Sequence, residues 1–316
     1  MGRSGNLDFQ RQQQRGPRAR VSGTDGAVLA RDMATVGGGR AHMQVARRSR
    51  QISDANRQWF ARTVSRLVTL ASIAVLALPF PANSEPPEEL NVGVDAGPVA
   101  MTRYSADRVG KHAAVLVLHG NRGVEINPRA YGRYANALAA GGIDAYLVRY
   151  FTTADYEALD PKKSTRESRD AYTTGRFEGW AMPISSVVTA IVNRPDASGR
   201  IGVIGFSLGG YIAADTAAHD DRITAIAVLY GGMPDAMVDQ VKHLPPLIEL
   251  HGEADRNVPL AKGEELVNLA KVVGAPAEQV TYPGREHGFD FSDTDPMTDD
   301  AVGRVVRFFQ AHLLGS

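Results

Sequence analysis

Short apolar runs alternate with longer amphipathic stretches along residues 85–316. Two weaker segments, near residues 91 and 99, come first and predict a hairpin at the edge of a sheet. Six later runs are nearly continuous in apolar residues, as strands buried on both faces of a parallel sheet are. They are AAVLVLHG from Ala113, IDAYLVRYF from Ile143, IGVIGF from Ile201, ITAIAVLYGG from Ile223, PPLIELHG from Pro245 and EQVTYP from Glu278. We therefore expect a mostly parallel central sheet of about eight strands.

The stretches between the strands have the apolar spacing of amphipathic helices. We predict helices over residues 128–140, 173–193, 208–219, 260–273 and 298–314. In the second of these, large apolar side chains recur at helical spacing from Phe177 to Ile191, which indicates a face packed on a core. Alternating strands and helices are typical of an α/β fold with helices on both faces of the sheet. A polar stretch, residues 152–175, interrupts this alternation and forms either a lid or a long connection.

Residues 1–84 differ in charge from the rest of the chain. They contain 13 Arg, no Lys and four acidic residues, although the net charge of the whole chain is zero. Residues 1–56 are also poor in large apolar side chains, so burial cannot offset the entropy of ordering them. We expect a disordered basic N-terminal extension there, followed later by one folded domain over residues 85–316. The extension has no aromatic interleaving and no folded motif, so we do not expect it to bind nucleic acid.

Residues 57–84 have the order of charged, apolar and small residues that is typical of a secretory signal peptide. Three Arg residues precede a 14-residue apolar run, and Ala82 and Ser84 then form an A-x-S cleavage pattern. The run is shorter than the roughly 20 residues that a membrane-spanning helix needs. We therefore expect an exported protein, periplasmic or secreted, whose mature chain begins near residue 85. An uncleaved membrane anchor and a buried helix are the alternatives. The chain contains no cysteine, which fits export without proving it.

One serine lies between glycines directly after a predicted strand. Gly205 and Gly209 flank Ser207 in a G-x-S-x-G pattern that joins the strand IGVIGF to the helix at 208–219. A serine on such a sharp turn needs tiny residues two positions before and two after it, because larger side chains would collide. A nucleotide-binding turn is the rival interpretation, but the pattern is neither G-x-G-x-x-G nor a P-loop. We predict that Ser207 is a nucleophile.

A serine hydroxyl needs a base to take its proton and an acid to orient that base. Asp255 lies in the loop after PPLIELHG, and His287 lies in the loop after EQVTYP. Because the carboxyl ends of parallel strands meet at one edge of a sheet, both loops can reach Ser207. Glu253, in the same loop as Asp255, is the alternative acid. We interpret His251 as a strand-end histidine with a structural role.

Acyl transfer also needs two N–H donors for the oxyanion of the tetrahedral intermediate. The amide of Leu208, directly after the serine, is the first predicted donor. The second is expected in the loop HGNRG, after the strand that begins at Ala113. Asn121 is the first choice there and Arg122 the second, with a glycine on each side that lets the backbone turn sharply.

With HGNRG, GFSLGG, HGEADRNVP and EHGF in this order, residues from about 90 to 315 resemble the dienelactone hydrolase family of α/β-hydrolases. The resemblance implies the α/β-hydrolase fold in a single domain, no metal or other cofactor, and hydrolysis of an ester or lactone through an acyl-enzyme. Motif by motif, it places the nucleophile on Ser207, the acid on Asp255 and the base on His287. The lactone-cleaving members use a cysteine nucleophile, and a glutamate where this chain has Gly120. Dienelactone itself is therefore not the expected substrate.

The function expected from these motifs is hydrolysis of a small-molecule carboxylic ester by a serine hydrolase. Arg122, Arg149 and Arg256 lie at or near carboxyl strand ends, where they either pair with an acidic substrate or stay solvated. A serine peptidase related to prolyl oligopeptidase is an alternative, because GFSLGGYIA and HGEADRNVP look like its catalytic domain. A hydrolase fold kept only for binding is another, although the intact set of serine, acid and histidine argues against it.

Overall fold

The computed structural model describes residues 86–94 and 97–315 of the chain. The predicted basic extension, residues 1–56, and the predicted signal peptide, residues 57–84, lie outside these ranges. Among the described helices, none combines the length and the apolar character that crossing a membrane requires.

An eight-stranded sheet runs through the described domain, in the order β1-β2-β4-β3-β5-β6-β7-β8. The strands are β1 Glu88–Val94, β2 Gly97–Tyr104, β3 His112–Leu118, β4 Asp144–Arg149, β5 Ala197–Phe206, β6 Ile223–Leu229, β7 Leu247–Gly252 and β8 Ala277–Tyr282. The pairs β1–β2 and β2–β4 are antiparallel, and the other five pairs are parallel. The mostly parallel sheet of about eight strands and the edge hairpin are both confirmed.

Helices cover both faces of this sheet, as predicted. They are α1 Pro128–Ala140, α2 Thr153–Leu159, α3 Arg166–Val192, α4 Leu208–His219, α5 Leu260–Val272 and α6 Met297–Phe309. Along β3, Leu116 and Leu118 pack on the side of α3, α4 and α5, whereas Val115 and Val117 pack on the side of α1 and α6. This alternation follows from the two-residue period of a strand, and it gives the sheet an apolar core on each face.

The polar stretch 152–175 forms α2 and the beginning of α3. Because the stretch has no apolar stripe, the sequence predicted only a lid or a long connection there. The Thr152 side chain accepts a hydrogen bond from the Asp155 amide, and the Asp155 carboxylate accepts one from the Thr152 amide, which starts α2. The Thr165 side chain accepts a hydrogen bond from the Ser168 amide and so caps α3. That helix therefore begins at Arg166 and not at residue 173. The T-x-x-D spacing is the sequence signal that could have predicted α2.

Candidate active site

Ser207 lies on a sharp turn between β5 and α4. Its backbone has φ 54° and ψ −117°, a region that non-glycine residues rarely adopt and that stores about 1–3 kcal/mol. The Ser207 amide donates to the Leu229 carbonyl at 2.9 Å, which ties the turn to β6. A Cβ atom at Gly205 would lie 2.0 Å from the Gly209 carbonyl oxygen, and one at Gly209 would lie 2.3 Å from the Leu118 oxygen. Both glycines are therefore needed for the turn.

Ser207, His287 and Asp255 form a continuous hydrogen-bonded series. The Ser207 Oγ lies 3.0 Å from His287 Nε2, and the Asp255 Oδ2 lies 2.6 Å from His287 Nδ1. The imidazole is 18% exposed, whereas the Asp255 side chain is fully buried. The structure thus brings together the three residues that the sequence predicts, and Ser207 and His287 are partly exposed.

The Asp255 carboxylate is held in its charged form. Its Oδ1 accepts hydrogen bonds from the amides of Asn257 at 2.8 Å and Val258 at 2.9 Å. Burial raises the pKa of Asp255, but hydrogen bonds from His251, His287 and the Val258 amide outweigh it and hold the pKa well below its usual range. A carboxylate that stays ionised can accept a hydrogen bond from the Nδ1–H of His287 and stabilise a positive charge on that ring.

Two backbone segments with amides for an oxyanion lie beside Ser207. Leu208 is the first residue of α4, so its amide has no acceptor within the helix. The Gly123 amide donates to the Gly120 carbonyl at 3.1 Å, which closes a turn whose central residues are Asn121 and Arg122. A Cβ atom at Gly120 would lie only 3.5 Å from the Ser207 Cβ. The predicted donor loop is therefore in contact with the serine.

The His119 side chain packs against the turn that contains Asn121 and Arg122. Its ring is fully buried and stacks on Tyr150 with 4.0 Å between ring centroids. The His119 Nδ1 lies 2.8 Å from the Gly120 carbonyl oxygen. Burial lowers the pKa of His119 to about 4, so the ring is neutral at neutral pH. The His119 ring therefore packs between Tyr150 and the turn.

A cavity of about 170 Å³ adjoins the same loop. Its walls come from the turn after β3 and from the region of α2, and are formed by Asn121, Arg122, Ile126, Tyr156, Leu159, Asp160 and Pro161. The Tyr156 hydroxyl donates to Glu125 at 2.6 Å, and a Cβ at Gly123 would lie 2.2 Å from the Tyr156 ring. Part of the polar stretch 152–175 therefore shapes a space next to the candidate oxyanion donors.

The three arginines predicted near the site have different environments. Arg149 is half-buried, pairs with Glu89 at 3.4 Å and Glu125 at 3.6 Å, and donates to the Thr102 hydroxyl. Arg122 and Arg256 are exposed, and neither forms an ion pair within residues 86–94 and 97–315. Arg122 is the one of the three that lines the cavity described above.

The alternative acid, Glu253, has a different partner. Its carboxylate accepts a hydrogen bond from the Thr281 hydroxyl on β8 at 2.9 Å. Asp255 occupies the position next to His287, so the geometry favours Asp255 over Glu253 as the acid.

Two residues of this region, Tyr230 and Glu249, were not singled out from the sequence. Tyr230, directly after β6, has φ 42°, and its ring centroid lies 4.6 Å from that of His287. Glu249 is buried inside β7 and contacts His251, which in turn lies 3.4 Å from Asp255. A single carboxylate in the otherwise apolar strand LIELHG was a usable signal for Glu249, whereas nothing in the sequence distinguishes Tyr230.

A mostly parallel sheet with a serine on the turn after a central strand, followed along the chain by an aspartate and a histidine, defines an α/β-hydrolase. The model of the dienelactone hydrolase family matches residues 100–313. The chain therefore belongs to the dienelactone hydrolase family, as its four motifs predict.

Individual relatives agree with this assignment over parts of their length. The Methylorubrum extorquens protein named "Putative carboxymethylenebutenolidase" is 31% identical over 99 residues, which cover 28% of this chain and 34% of the relative. The Bacillus subtilis "Uncharacterized peptidase YuxL" is 26% identical over 209 residues, which cover 63% of this chain and 31% of that protein. The chain thus spans about a third of the length of these two relatives.

A solved structure shares the fold over its whole length. The dienelactone hydrolase from Anabaena variabilis superposes with a TM-score of 0.58 at 19% identity, covering 72% of this chain and 100% of that one. At this identity the similarity shows the fold alone.

Proposed function

We propose that this protein is a serine hydrolase that cleaves a carboxylic ester or lactone through an acyl-enzyme. The observation that carries the proposal is the series Asp255, His287 and Ser207, with contacts of 2.6 Å and 3.0 Å ending on a strained serine. A serine alone is a weak nucleophile, and a hydrogen-bonded histidine held by a buried carboxylate is the arrangement that activates it. Membership of the dienelactone hydrolase family supports the same chemistry.

In the acylation step, the Ser207 Oγ attacks the carbonyl carbon of the ester. His287 Nε2 takes the hydroxyl proton, and the Asp255 carboxylate stabilises the resulting imidazolium through Nδ1–H. The amides of Leu208 and Asn121 donate hydrogen bonds to the carbonyl oxygen and stabilise the negative charge that develops on it. When the tetrahedral intermediate collapses, the bond to the leaving oxygen breaks, and His287 returns the proton to the alcohol.

In the deacylation step, a water molecule replaces the alcohol. His287 takes one proton from this water, whose oxygen attacks the acyl carbon of the Ser207 ester. Collapse of the second intermediate releases the carboxylic acid and returns the proton to Ser207. The partial exposure of the His287 ring supports this role, because water can reach it.

The size of the cavity beside the oxyanion loop favours a substrate with a small acyl group. Its volume of about 170 Å³ is close to the ~150 Å³ of a cavity that holds benzene. Tyr156, Leu159 and Ile126 supply apolar walls, and Arg122 supplies a positive charge. We expect esters with a short acyl group to be preferred over long-chain esters.

The experiment compares p-nitrophenyl esters of graded acyl length with a dipeptide amide, using purified protein. We expect hydrolysis of the short esters, with kcat/KM falling once the acyl chain exceeds the cavity. The peptidase alternative has support from the similarity to YuxL, and faster cleavage of the amide would favour it. Binding of the ester with no turnover would contradict both the esterase and the peptidase hypotheses. It would favour a hydrolase fold that only binds its ligand.

A further inference from the structure

A buried series of ionisable side chains continues inward from Asp255. Glu249 and His251 lie on the same face of β7, because side chains two residues apart in a strand point the same way. Both side chains are fully buried. The His251 Nδ1 lies 2.7 Å from Glu249 Oε1, and its Nε2 lies 3.4 Å from Asp255 Oδ2. That oxygen is the one that His287 contacts, so it lies between two imidazole rings.

The fold makes specific room for the Glu249 carboxylate. Gln279 on β8 donates to Glu249 Oε2 at 3.0 Å, which leaves His251 as the partner of the other oxygen. A Cβ at Gly263 on α5 would lie 2.5 Å from the Glu249 Cδ. Burying an ion pair is often no more stabilising than apolar residues of similar volume. The strand neighbours Leu247 and Leu250 show that β7 accepts apolar residues, so stability alone does not explain the pair.

His251 also holds the loop that carries Asp255. The Val258 carbonyl, which can only accept, lies 3.0 Å from His251 Nε2, so this nitrogen carries a proton. The Val258 amide in turn donates to Asp255 Oδ1. Burial lowers the pKa of His251, but hydrogen bonds to Asp255 and Glu249 outweigh it and raise the pKa to about 10. One ring nitrogen therefore faces the Glu249 carboxylate, and the other donates to the 255–258 loop.

We propose that His251 and Glu249 are positioning residues of the hydrolase site, which hold the Asp255 carboxylate in the orientation that His287 requires. Glu249 orients the His251 ring, and His251 fixes both Asp255 and the backbone that binds it. Neither touches Ser207 or the substrate. The inference rests on the proposed function, because orientation of Asp255 affects rate only where Ser207 and His287 perform the chemistry.

The test measures three variants, His251→Gln, Glu249→Gln and the double variant. For each, kcat and KM are measured on a short p-nitrophenyl ester, together with the rate constant for labelling by a fluorophosphonate. We expect kcat and the labelling rate to fall about ten-fold or more in both single variants, with KM unchanged, because sub-ångström misplacement of a catalytic group has effects of this order. The double variant should be no slower than His251→Gln, since both residues act through one series of contacts.

A matched control comes from the opposite end of the sheet. Asp144 at the start of β4 is a buried carboxylate that contacts His112 Nδ1 at 2.8 Å, so Asp144→Asn disturbs a similar pair far from Ser207. This variant should lower the melting temperature and leave kcat unchanged. All rates are normalised to the folded fraction measured by circular dichroism. Should His251→Gln not fold, the isosteric Glu249→Gln decides.

Two results would overturn the inference. If the wild type is active and the folded Glu249→Gln and His251→Gln variants keep kcat and the labelling rate within two-fold, the positioning role is wrong while the proposed function stands. If the folded wild type neither hydrolyses esters nor becomes labelled, the proposed function fails and this inference fails with it.

Discussion

Asp255 is the most constrained side chain of the site. Its two oxygens contact His287, His251 and the amides of Asn257 and Val258, and the side chain is fully buried. A carboxylate held in this way has one orientation toward the His287 ring. In the proposed mechanism, Asp255 sets which nitrogen of His287 carries the proton before the reaction begins.

Replacing Asp255 by asparagine tests this role. The Asp255→Asn variant should lose about 10⁴-fold in kcat with little change in KM, because an amide favours the wrong tautomer of His287. Steady-state kinetics on a short ester measure the effect. Glu253→Gln is the control, since Glu253 is held by Thr281, and it should keep wild-type rates. The opposite pattern, with Glu253→Gln inactive and Asp255→Asn active, would make Glu253 the acid.

At this scale, the sequence predicted the residues whose position follows from the chain order of strands and loops. Ser207 could be found because its flanking glycines and its place after β5 are readable locally. The surroundings of the Glu249 carboxylate could not, because they are formed by Gln279 and Gly263, which come from two other elements. A charge buried in a strand acquires its partners only when the sheet and helices assemble.

Among the secondary-structure elements, the turn from β5 to α4 has the strictest packing. A methyl group at Gly209 would collide with the Leu118 carbonyl oxygen at 2.3 Å, and backbone atoms cannot yield as side chains do. We expect Gly209→Ala to lower the free energy of unfolding by about 3 kcal/mol or more. Urea unfolding followed by circular dichroism measures this change.

The control for this prediction is Gly175→Ala on α3. Gly175 is exposed within the helix, and a Cβ atom there would have nothing within 4 Å. This substitution should raise the free energy of unfolding by about 0.5–1 kcal/mol, because alanine loses less conformational entropy in a helix. Equal effects of the two substitutions would show that the close approach at Gly209 does not limit the turn.

The connection between α2 and α3 depends on a single buried carboxylate. Asp155 accepts hydrogen bonds from Thr152, Tyr172 and Arg176, which lie on or beside both helices. Burial raises the pKa of Asp155, but the hydrogen bonds from Arg176 and Thr152 outweigh it and lower the pKa to about 2. A carboxylate with a lowered pKa stabilises the folded state above its unfolded value of 3.8, and this stability is lost as the pH falls towards 2.

This linkage predicts how acid changes the effect of Asp155→Asn. The difference in melting temperature between wild type and variant should be largest at pH 6 and should shrink as the pH falls from 4 towards 2. Thermal melts by circular dichroism across this range provide the measurement. A difference that stays constant between pH 6 and pH 3 would mean that Asp155 is not charged in the fold.

Helix 128–140, which has an apolar stripe, was predicted to the residue, as was helix 208–219, which is largely apolar. Helix α2 and the first two turns of α3 were not predicted. Caps and the buried Asp155 stabilise them, and neither feature produces an apolar period in the sequence. The helix predicted to reach residue 314 is α-helical only to Phe309 and ends in a π-helical turn, Gln310–Leu314. Hydrogen-bonding choices within the last turns of a helix have no period that the sequence could reveal.

Over the whole molecule, the two ends of the sheet carry different chemistry. The carboxyl ends of β3, β5, β7 and β8 bring together the loops of Asn121, Ser207, Asp255 and His287. The amino end of β4 instead carries the buried pair of Arg103 and Asp144, with nitrogen and oxygen 2.6 Å apart. The class of fold could be predicted because alternation of strands and helices leaves few ways to cover a parallel sheet. The cavity could not, since its walls come from segments distant in sequence.

The expected export of the protein is a property of the whole chain. It rests on the sequence of residues 57–84, where basic, apolar and small residues follow in order. N-terminal sequencing of the protein from the producing cell should begin near residue 85. An intact N-terminus at Met1 in the soluble cytoplasmic fraction would contradict export.

The most direct test of the account is covalent labelling of Ser207. Purified wild-type protein is treated with a fluorophosphonate, digested and analysed by mass spectrometry, beside Ser207→Ala. We expect one adduct on the peptide that contains Ser207, and none in the variant, because only a serine activated by His287 reacts readily with this probe. Folded wild-type protein that stays unlabelled, or equal labelling of Ser207→Ala, would contradict the assignment of Ser207 as the nucleophile.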